Sequence, residues 1–167
     1  MEIMKRFAMF AKQGVKEETQ LAEISLSETF EGVLPLIRHE LELDKIQLVK
    51  KVPNDLPRIR ADRRQIEEIF FNLIVNACQA MKDGGKLTVQ AEQRNGSVQV
   101  EIQDDGPGIP SEQISKIFEP FYTTKESGTG LGLYVTKQLV ERNGGHIFLQ
   151  SKLNQGTNFI LKFPASK

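Results

Sequence analysis

Apolar positions recur along the chain with two periods, and the alternation between those periods predicts the elements. Ile3, Met4, Phe7, Phe10 and Ala11 fall at helical spacing, so residues 1–13 read as a short helical stub. From Gly14 the chain turns polar, and a linker is expected through residue 27. Ser27, followed by Glu28 and Thr29, is expected to start a second helix, with Phe30, Val33, Leu34, Ile37 and Leu41 on one apolar face. Pro35 lies inside that pattern and predicts a kink or a late start. Residues 46–52 alternate as a strand, 53–57 read as a turn, and 58–61 as a short extended piece. Asp62 then caps a long helix to about Met81, ended by Asp83-Gly84-Gly85. Residues 86–93 and 97–103, joined at Asn95-Gly96, read as a β-hairpin. Residues 104–130 are loop-rich, with one short helix near 111–118. A helix over 131–142 and a second hairpin, 146–151 with 157–163, close the chain. The sum is a two-layer α/β (α+β) sandwich: a mixed, mostly antiparallel sheet covered on one face by helices.

Composition narrows the class. Lys plus Arg and Asp plus Glu are 22 each, so no net charge draws the chain to nucleic acid or to an anionic membrane. No apolar run approaches the roughly 18 residues that span a bilayer. The single cysteine, Cys78, excludes an internal disulfide and suits a reducing, cytoplasmic setting. It lies in an apolar stretch, so a packing role is expected of it. With only His39 and His146, zinc-type spacing is absent.

Four segments carry candidate chemistry. The helix over 66–81 is apolar almost all round, yet Asn72 and Asn76 interrupt it four residues apart, on one face, with Glu68 one turn back. Buried amides need partners, and oxygen donors of this kind suit a polar ligand or Mg²⁺ with its substrate phosphates. Capping of neighbouring loops is the plainer alternative. Asp104 to Pro110, DDGPGIP, follows a strand; Asp104 is an acceptor-only carboxylate suited to an exocyclic amine such as that of adenine. The same segment would also serve as a simple turn. In SGTGLGL, Ser127 to Leu133, Gly128, Gly130 and Gly132 lead into a helix and offer backbone N–H groups to phosphate. It is neither a Walker A loop nor a dinucleotide fingerprint. In IFEPFYTTK, Phe118, Pro120 and Phe121 are expected to pack the loop down, leaving Thr123, Thr124 and Lys125 towards the site.

In this order the segments resemble a known family. FNLIVNACQAM is similar to the N box, DDGPGI to the G1 box, FEPFYTTK to the F box and GTGLGL to the G2 box of the ATP-binding catalytic domain of two-component sensor histidine kinases, in the GHKL superfamily. NACQAM and the TTK form of the F box resemble the nitrogen-regulator and sporulation-kinase branch. The resemblance covers about residues 28–164 and implies the Bergerat (GHKL ATPase) fold. It implies ATP and Mg²⁺ as ligands: Asn76 on the metal, Asn72 beside the phosphates, Asp104 on the adenine amine. Gly106, Gly108 and Ile109 would shape the base pocket, and Thr157 would support Asp104. Thr124 and Lys125 would reach the phosphates from a mobile lid, and Gly128, Thr129, Gly130, Leu131 and Gly132 would wrap them. Asn72 and Lys125 would act in the transfer itself. One departure stands out. Where many of these kinases carry a basic residue and then an aromatic after the second N-box Asn, this chain has Gln79, Ala80 and Met81.

The resemblance further implies an organisation: residues 1–13 as the end of the dimerisation and histidine-phosphotransfer hairpin, 14–27 as linker, 28–167 as the ATP-binding domain. His39-Glu40 looks like an acceptor pair, but no Pro follows where expected, and a two-helix hairpin does not fit between His39 and Asn72. The acceptor histidine is therefore expected outside this chain, on the parent kinase's own dimerisation domain, with a response regulator downstream. The resemblance leaves a membrane anchor on the parent open, and no membrane contact is expected of this part. Two other readings stay open: a GHKL ATPase that hydrolyses ATP to drive a clamp, and a nucleotide-sensing module without catalysis. A hydrolytic enzyme needs a carboxylate one turn before the metal-binding Asn, where this chain has Asn72.

Overall fold

The protein is described from a computed structural model covering residues 18–125 and 128–166. The stub expected over residues 1–13 and the first part of the linker lie outside the described residues. Strand β1 (Ala22–Ile24) precedes helix α1 (Leu26–Leu43), β2 (Ile46–Lys51) and β3 (Ile59–Ala61). Helix α2 (Arg63–Ala80) leads into β4 (Gly85–Arg94) and β5 (Ser97–Asp104). A short α3 (Ser111–Ile114), α4 (Gly132–Arg142), β6 (His146–Ser151) and β7 (Thr157–Pro164) complete the chain. Five strands form one sheet in the order β2-β4-β5-β7-β6. Among the described strands only β2 and β4 run parallel, joined by a crossover through β3 and α2, because a tight turn cannot return a chain in the same direction.

The inner sheet face is apolar: Leu87 and Val89 of β4, Val100 and Ile102 of β5, and Phe159 and Leu161 of β7 are buried. Helix α2 lies over it as the central element. Ile66, Ile69, Phe70, Phe71, Leu73, Ile74 and Val75 are all buried, as a helix apolar on most sides requires. Phe70 meets Phe30 of α1 edge to face, ring centroids 5.7 Å apart. Asp62 caps α2 by accepting from the Arg64 and Gln65 N–H groups, and its own N–H donates to Asn143 Oδ1 at 2.7 Å. Asn143 in turn donates to Gln65 Oε1 and to the Leu139 carbonyl. The start of α2 is thus pinned to the end of α4.

Two local expectations are corrected. Residues 22–24, read as linker, are a strand paired antiparallel with β3. That strand ends where Ser25 accepts from the Glu28 N–H, so Ser25, not Ser27, caps α1. Ser27 is buried within the first turn and donates to Asn54 Oδ1 at 2.7 Å. Pro35 sits on the exposed side of α1, and the helix runs through it over 18 residues.

Two buried ionisable groups of α2 stand out. Cys78 is buried, and burial, with Asp44 and then Glu40 adding negative charge, pushes its thiol up to about 12; it stays a neutral packing group, as expected. Glu68 is 6% exposed, and burial alone raises its carboxyl above the usual range. A raised folded-state value means that the folded protein holds this proton more tightly than the unfolded chain does. The contribution is then full below the unfolded-state value and is lost as pH climbs through the folded one. Glu68→Gln should therefore raise the melting temperature at pH 7, and the gain should vanish near pH 4; thermal unfolding across that range is the check.

Candidate functional site

The candidate groups converge at one end of the sheet. A cavity of about 380 Å³ opens between α2, the ends of β5 and β7, the loop over residues 107–109, and a lid from α3 to the start of α4.

Its floor is Asp104, the last residue of β5, paired with Leu87 on one side and Thr157 on the other. Asp104 is 5% exposed. Its Oδ1 accepts from the Gly106 N–H at 2.9 Å and the Thr157 N–H at 3.3 Å, so neither bond uses Oδ2. Burial raises its carboxyl above the usual range, the two N–H bonds oppose that rise, and Asp105 adds to it. Asp105 itself accepts from the Lys86 N–H at 2.8 Å, which ties the turn back to β4. Thr157 supports Asp104 through its backbone; its hydroxyl instead meets Ser151 Oγ at 3.1 Å. Ser151 Oγ also takes the Ile109 N–H at 2.8 Å, placing Ile109 on the cavity wall. Gly106 lies just behind that wall, where a Cβ would fall 2.9 Å from Asp104 Oδ1.

One side of the cavity is the polar row of α2. Asn72 is buried and donates to Thr136 Oγ1 of α4 at 3.2 Å, while the Thr136 hydroxyl donates to the Gly132 carbonyl at 2.8 Å. Because Thr136 spends its proton on Gly132, it can only accept from Asn72, which frees Asn72 Oδ1. Asn76 and Gln79 follow on the same wall. Glu68, one turn behind Asn72, does not line the cavity.

The lid supplies Tyr122, Thr123, Thr124 and Lys125. Lys125 Nζ donates to Gln79 Oε1 at 2.6 Å and to Asn76 Oδ1 at 3.3 Å. Lys125 is an exposed residue whose ammonium contacts α2, and desolvation, then Lys82, lower its pKa. Of the loop that follows, Gly128, Thr129, Gly130 and Gly132 line the cavity. Leu131 does not line it; it stands at the N-terminus of α4, its N–H directed to Thr129 Oγ1 at 3.4 Å. Among the described residues no side chain caps that helix end, so its first-turn N–H groups face an anion site.

The expected anchoring of the lid needs correction. Phe121 is 75% exposed and Pro120 is exposed too. The loop is held by Ile117, which is buried, and by Phe118, which meets Phe159 edge to face at 6.5 Å. Sequence reasoning also passed over Gln79 and Tyr122 as wall residues, Ser151 as the anchor of Ile109, and Thr136 as the partner of Asn72. The paired apolar-then-polar spacing of Asn72 with Thr136 is invisible without knowing that α2 and α4 pack together.

Among the described residues Asp104 is the one carboxylate and Lys125 the one basic side chain on the cavity wall. No cluster of three His, Cys, Asp or Glu side chains that could cage a metal occurs among them. The donors present fit a hard divalent cation shared with phosphate: a free Asn72 Oδ1 and an Asn76 Oδ1 that already meets an ammonium. Neither histidine is near. His39 is exposed on α1, His146 is exposed on the edge strand β6, and neither lines the cavity.

A two-layer sandwich with a polar helix row, a floor carboxylate and a glycine-rich lid at one sheet end defines an ATPase-type nucleotide cradle. The sequence model described as histidine kinase-, DNA gyrase B- and HSP90-like ATPase matches residues 61–167, and the chain belongs to that family. Sporulation kinase A of Bacillus subtilis (strain 168) is 37% identical over 141 residues, covering 84% of this chain and 23% of the kinase. The catalytic domain of histidine kinase ThkA superposes with a TM-score of 0.78 at 33% identity, covering 87% of this chain and 96% of that domain. ThkA in complex with the response regulator protein TrrA gives a TM-score of 0.80 at 28% identity, covering 99% of this chain and 49% of that one. The chain therefore spans about a quarter of the length of the curated relative it matches. Among the described residues no helix is long and apolar enough to cross a membrane.

Proposed function

We propose that this chain is the catalytic, ATP-binding part of a sensor histidine kinase, and that it passes the ATP γ-phosphoryl group to a histidine carried outside it. The observation that carries this reading is Asn72. One turn before Asn76, where a hydrolase needs a carboxylate to take a proton from water, stands an amide already bonded to Thr136. An amide cannot act as that base. ATP held here is kept for an external nucleophile, and the site works by positioning and charge neutralisation.

In this reading Asp104 Oδ2 accepts from the adenine amine, with Gly106, Gly108 and Ile109 shaping the base pocket. Gly128, Thr129, Gly130 and Gly132 present backbone N–H groups and the α4 N-terminus to the phosphates, with Leu131 N–H held by Thr129 Oγ1 behind them. Lys125 and Thr124 meet them from the lid. Asn76 would hold Mg²⁺ through Oδ1, with Asn72 beside it; the ion would supply charge neutralisation of the phosphate oxygens. An imidazole nitrogen attacks the γ-phosphorus, the bond to the β-γ bridging oxygen breaks, and ADP leaves. The acceptor domain of the same parent kinase is the partner, a response regulator takes the phosphoryl group afterwards, and the reaction is cytoplasmic.

The test uses γ-labelled ATP with this chain and the parent's histidine-bearing helical hairpin. Acid-labile label should reach the hairpin, while the chain alone stays unlabelled and turns ATP over slowly. Rapid multiple turnover by the chain alone, or label on His39, would overturn the proposal. Asn76→Ala should reduce ATP affinity in Mg²⁺ by about tenfold, the scale of one lost charge-assisted contact, and little in EDTA; calorimetry in both buffers reads the difference.

A further inference from the structure

Gln79 stands where the resembling kinases often place a cation, and here it accepts one instead. The Lys125 ammonium reaches across from the lid and donates to Gln79 Oε1 at 2.6 Å, a shorter bond than the 3.3 Å one to Asn76 Oδ1. Asn76 and Gln79 are three residues apart on α2, so their side chains share one face and their two oxygens can meet one ammonium. An ammonium has three donors and no acceptor, and two amide oxygens answer two of them. The lid side of this contact is fixed locally: the Lys125 N–H donates to Thr123 Oγ1 at 3.1 Å, and its carbonyl accepts from the Gly128 N–H at 3.1 Å. A basic residue at position 79 would repel Lys125, while Gln79 gives it a neutral seat on the cavity wall.

We propose that Gln79 is the positioning residue for Lys125, holding the ammonium at the cavity wall so that it is in place when phosphate arrives. With no basic residue at position 79, Lys125 is the basic side chain on the cavity wall, and Gln79 is the α2 residue that seats it. Of the two seats, Asn76 Oδ1 is the longer contact and the one a metal-bound nucleotide would take over, and Gln79 is the one Lys125 keeps. This rests on the site reading above, and concerns only phosphate-bearing ligands: adenosine makes no use of it.

The test is a double-mutant cycle with Gln79→Leu and Lys125→Met. Binding of ATP with Mg²⁺ and of adenosine is measured by calorimetry, and amide hydrogen exchange at residues 123–125 is followed without ligand. Each single variant should weaken ATP by roughly fivefold to tenfold, and the double variant should lose no more than either alone, as coupled partners do. Adenosine affinity should not change. Lid exchange should rise in Gln79→Leu and return to the wild-type rate in Gln79→Glu, which keeps the acceptor oxygen. Losses that add, or an unchanged lid in Gln79→Leu, would overturn the assignment. If Asp104→Asn and Asn76→Ala also bind ATP as wild type does, the site reading itself has failed; if they lose ATP while the cycle is additive, only the role of Gln79 falls.

Discussion

Asp104→Asn should leave a folded protein that has lost ATP by about two orders of magnitude, the combined cost of one lost charge-assisted bond and one unmatched buried donor. The fold survives because the Asn oxygen can still accept from the Gly106 and Thr157 N–H groups, the two bonds that Asp104 Oδ1 makes now. What changes is the other atom. In the proposed binding pose, Oδ2 becomes an NH₂ group that points a donor at the donor amine of adenine. A purine with a carbonyl at that place meets the new donor correctly, so ITP or GTP should lose far less than ATP, and the preference should narrow or invert. Competition binding with the three nucleotides reads this directly; equal losses for all three would mean that Asp104 acts on the fold and not on the base. The same carboxylate sets a pH dependence. Burial raises its value above the ordinary carboxylate range. Adenine needs the ionised form, so ATP affinity should be full at neutral pH and fall as pH drops through the raised value, while an ordinary surface aspartate is still ionised. In Asp104→Asn that acid limb should disappear.

How far the site could be seen in the sequence depends on how each residue is held. Asn72 and Asn76 were legible because polar side chains in an otherwise buried helix have to be used, and that helix is buried as expected. Asp104 was legible because it ends a strand and precedes two glycines. The elements that failed to show were those whose cause is remote. Strand β1 has three residues, too few for any period, and exists because β3 offers it an edge. The cap of α1 moved from Ser27 to Ser25 for the same reason: the pairing fixes where the strand ends. Phe121 misled because apolar residues in a loop carry no period to say which of them is buried; Ile117 and Phe118 took the anchoring and left Phe121 exposed. Gln79 reads in the sequence as a missing basic residue, and its role as an acceptor depends on a lid lysine 46 positions away.

Gly156 lies in the turn between the two strands of the second hairpin, and the structure gives it a larger part. It has φ +84, and a Cβ there would fall inside the van der Waals envelope of the Asp104 carbonyl oxygen and 3.0 Å from Asp105 Cα. Gly156 therefore lets the β6–β7 turn lie directly on the backbone that presents the floor carboxylate. Gly156→Ala adds left-handed strain and a backbone clash together, on the order of 2–5 kcal/mol. Gly144 is the control: its φ is +71, but nothing lies within 4 Å of a Cβ there, so Gly144→Ala pays the conformational term alone, about 1–2 kcal/mol. Denaturant unfolding of the two variants should separate them by the steric part. The clash also has a direction. Neither atom it meets is a flexible side-chain end, so relief requires moving either the turn or the end of β5. Moving the turn draws away Ser151, which holds the Ile109 N–H, and Thr157, which holds Asp104. Gly156→Ala should thus lose ATP affinity beyond what its stability explains, at temperatures where it is still fully folded, whereas Gly144→Ala should bind as wild type does. Equal binding by both variants would mean that the turn yields without disturbing the floor.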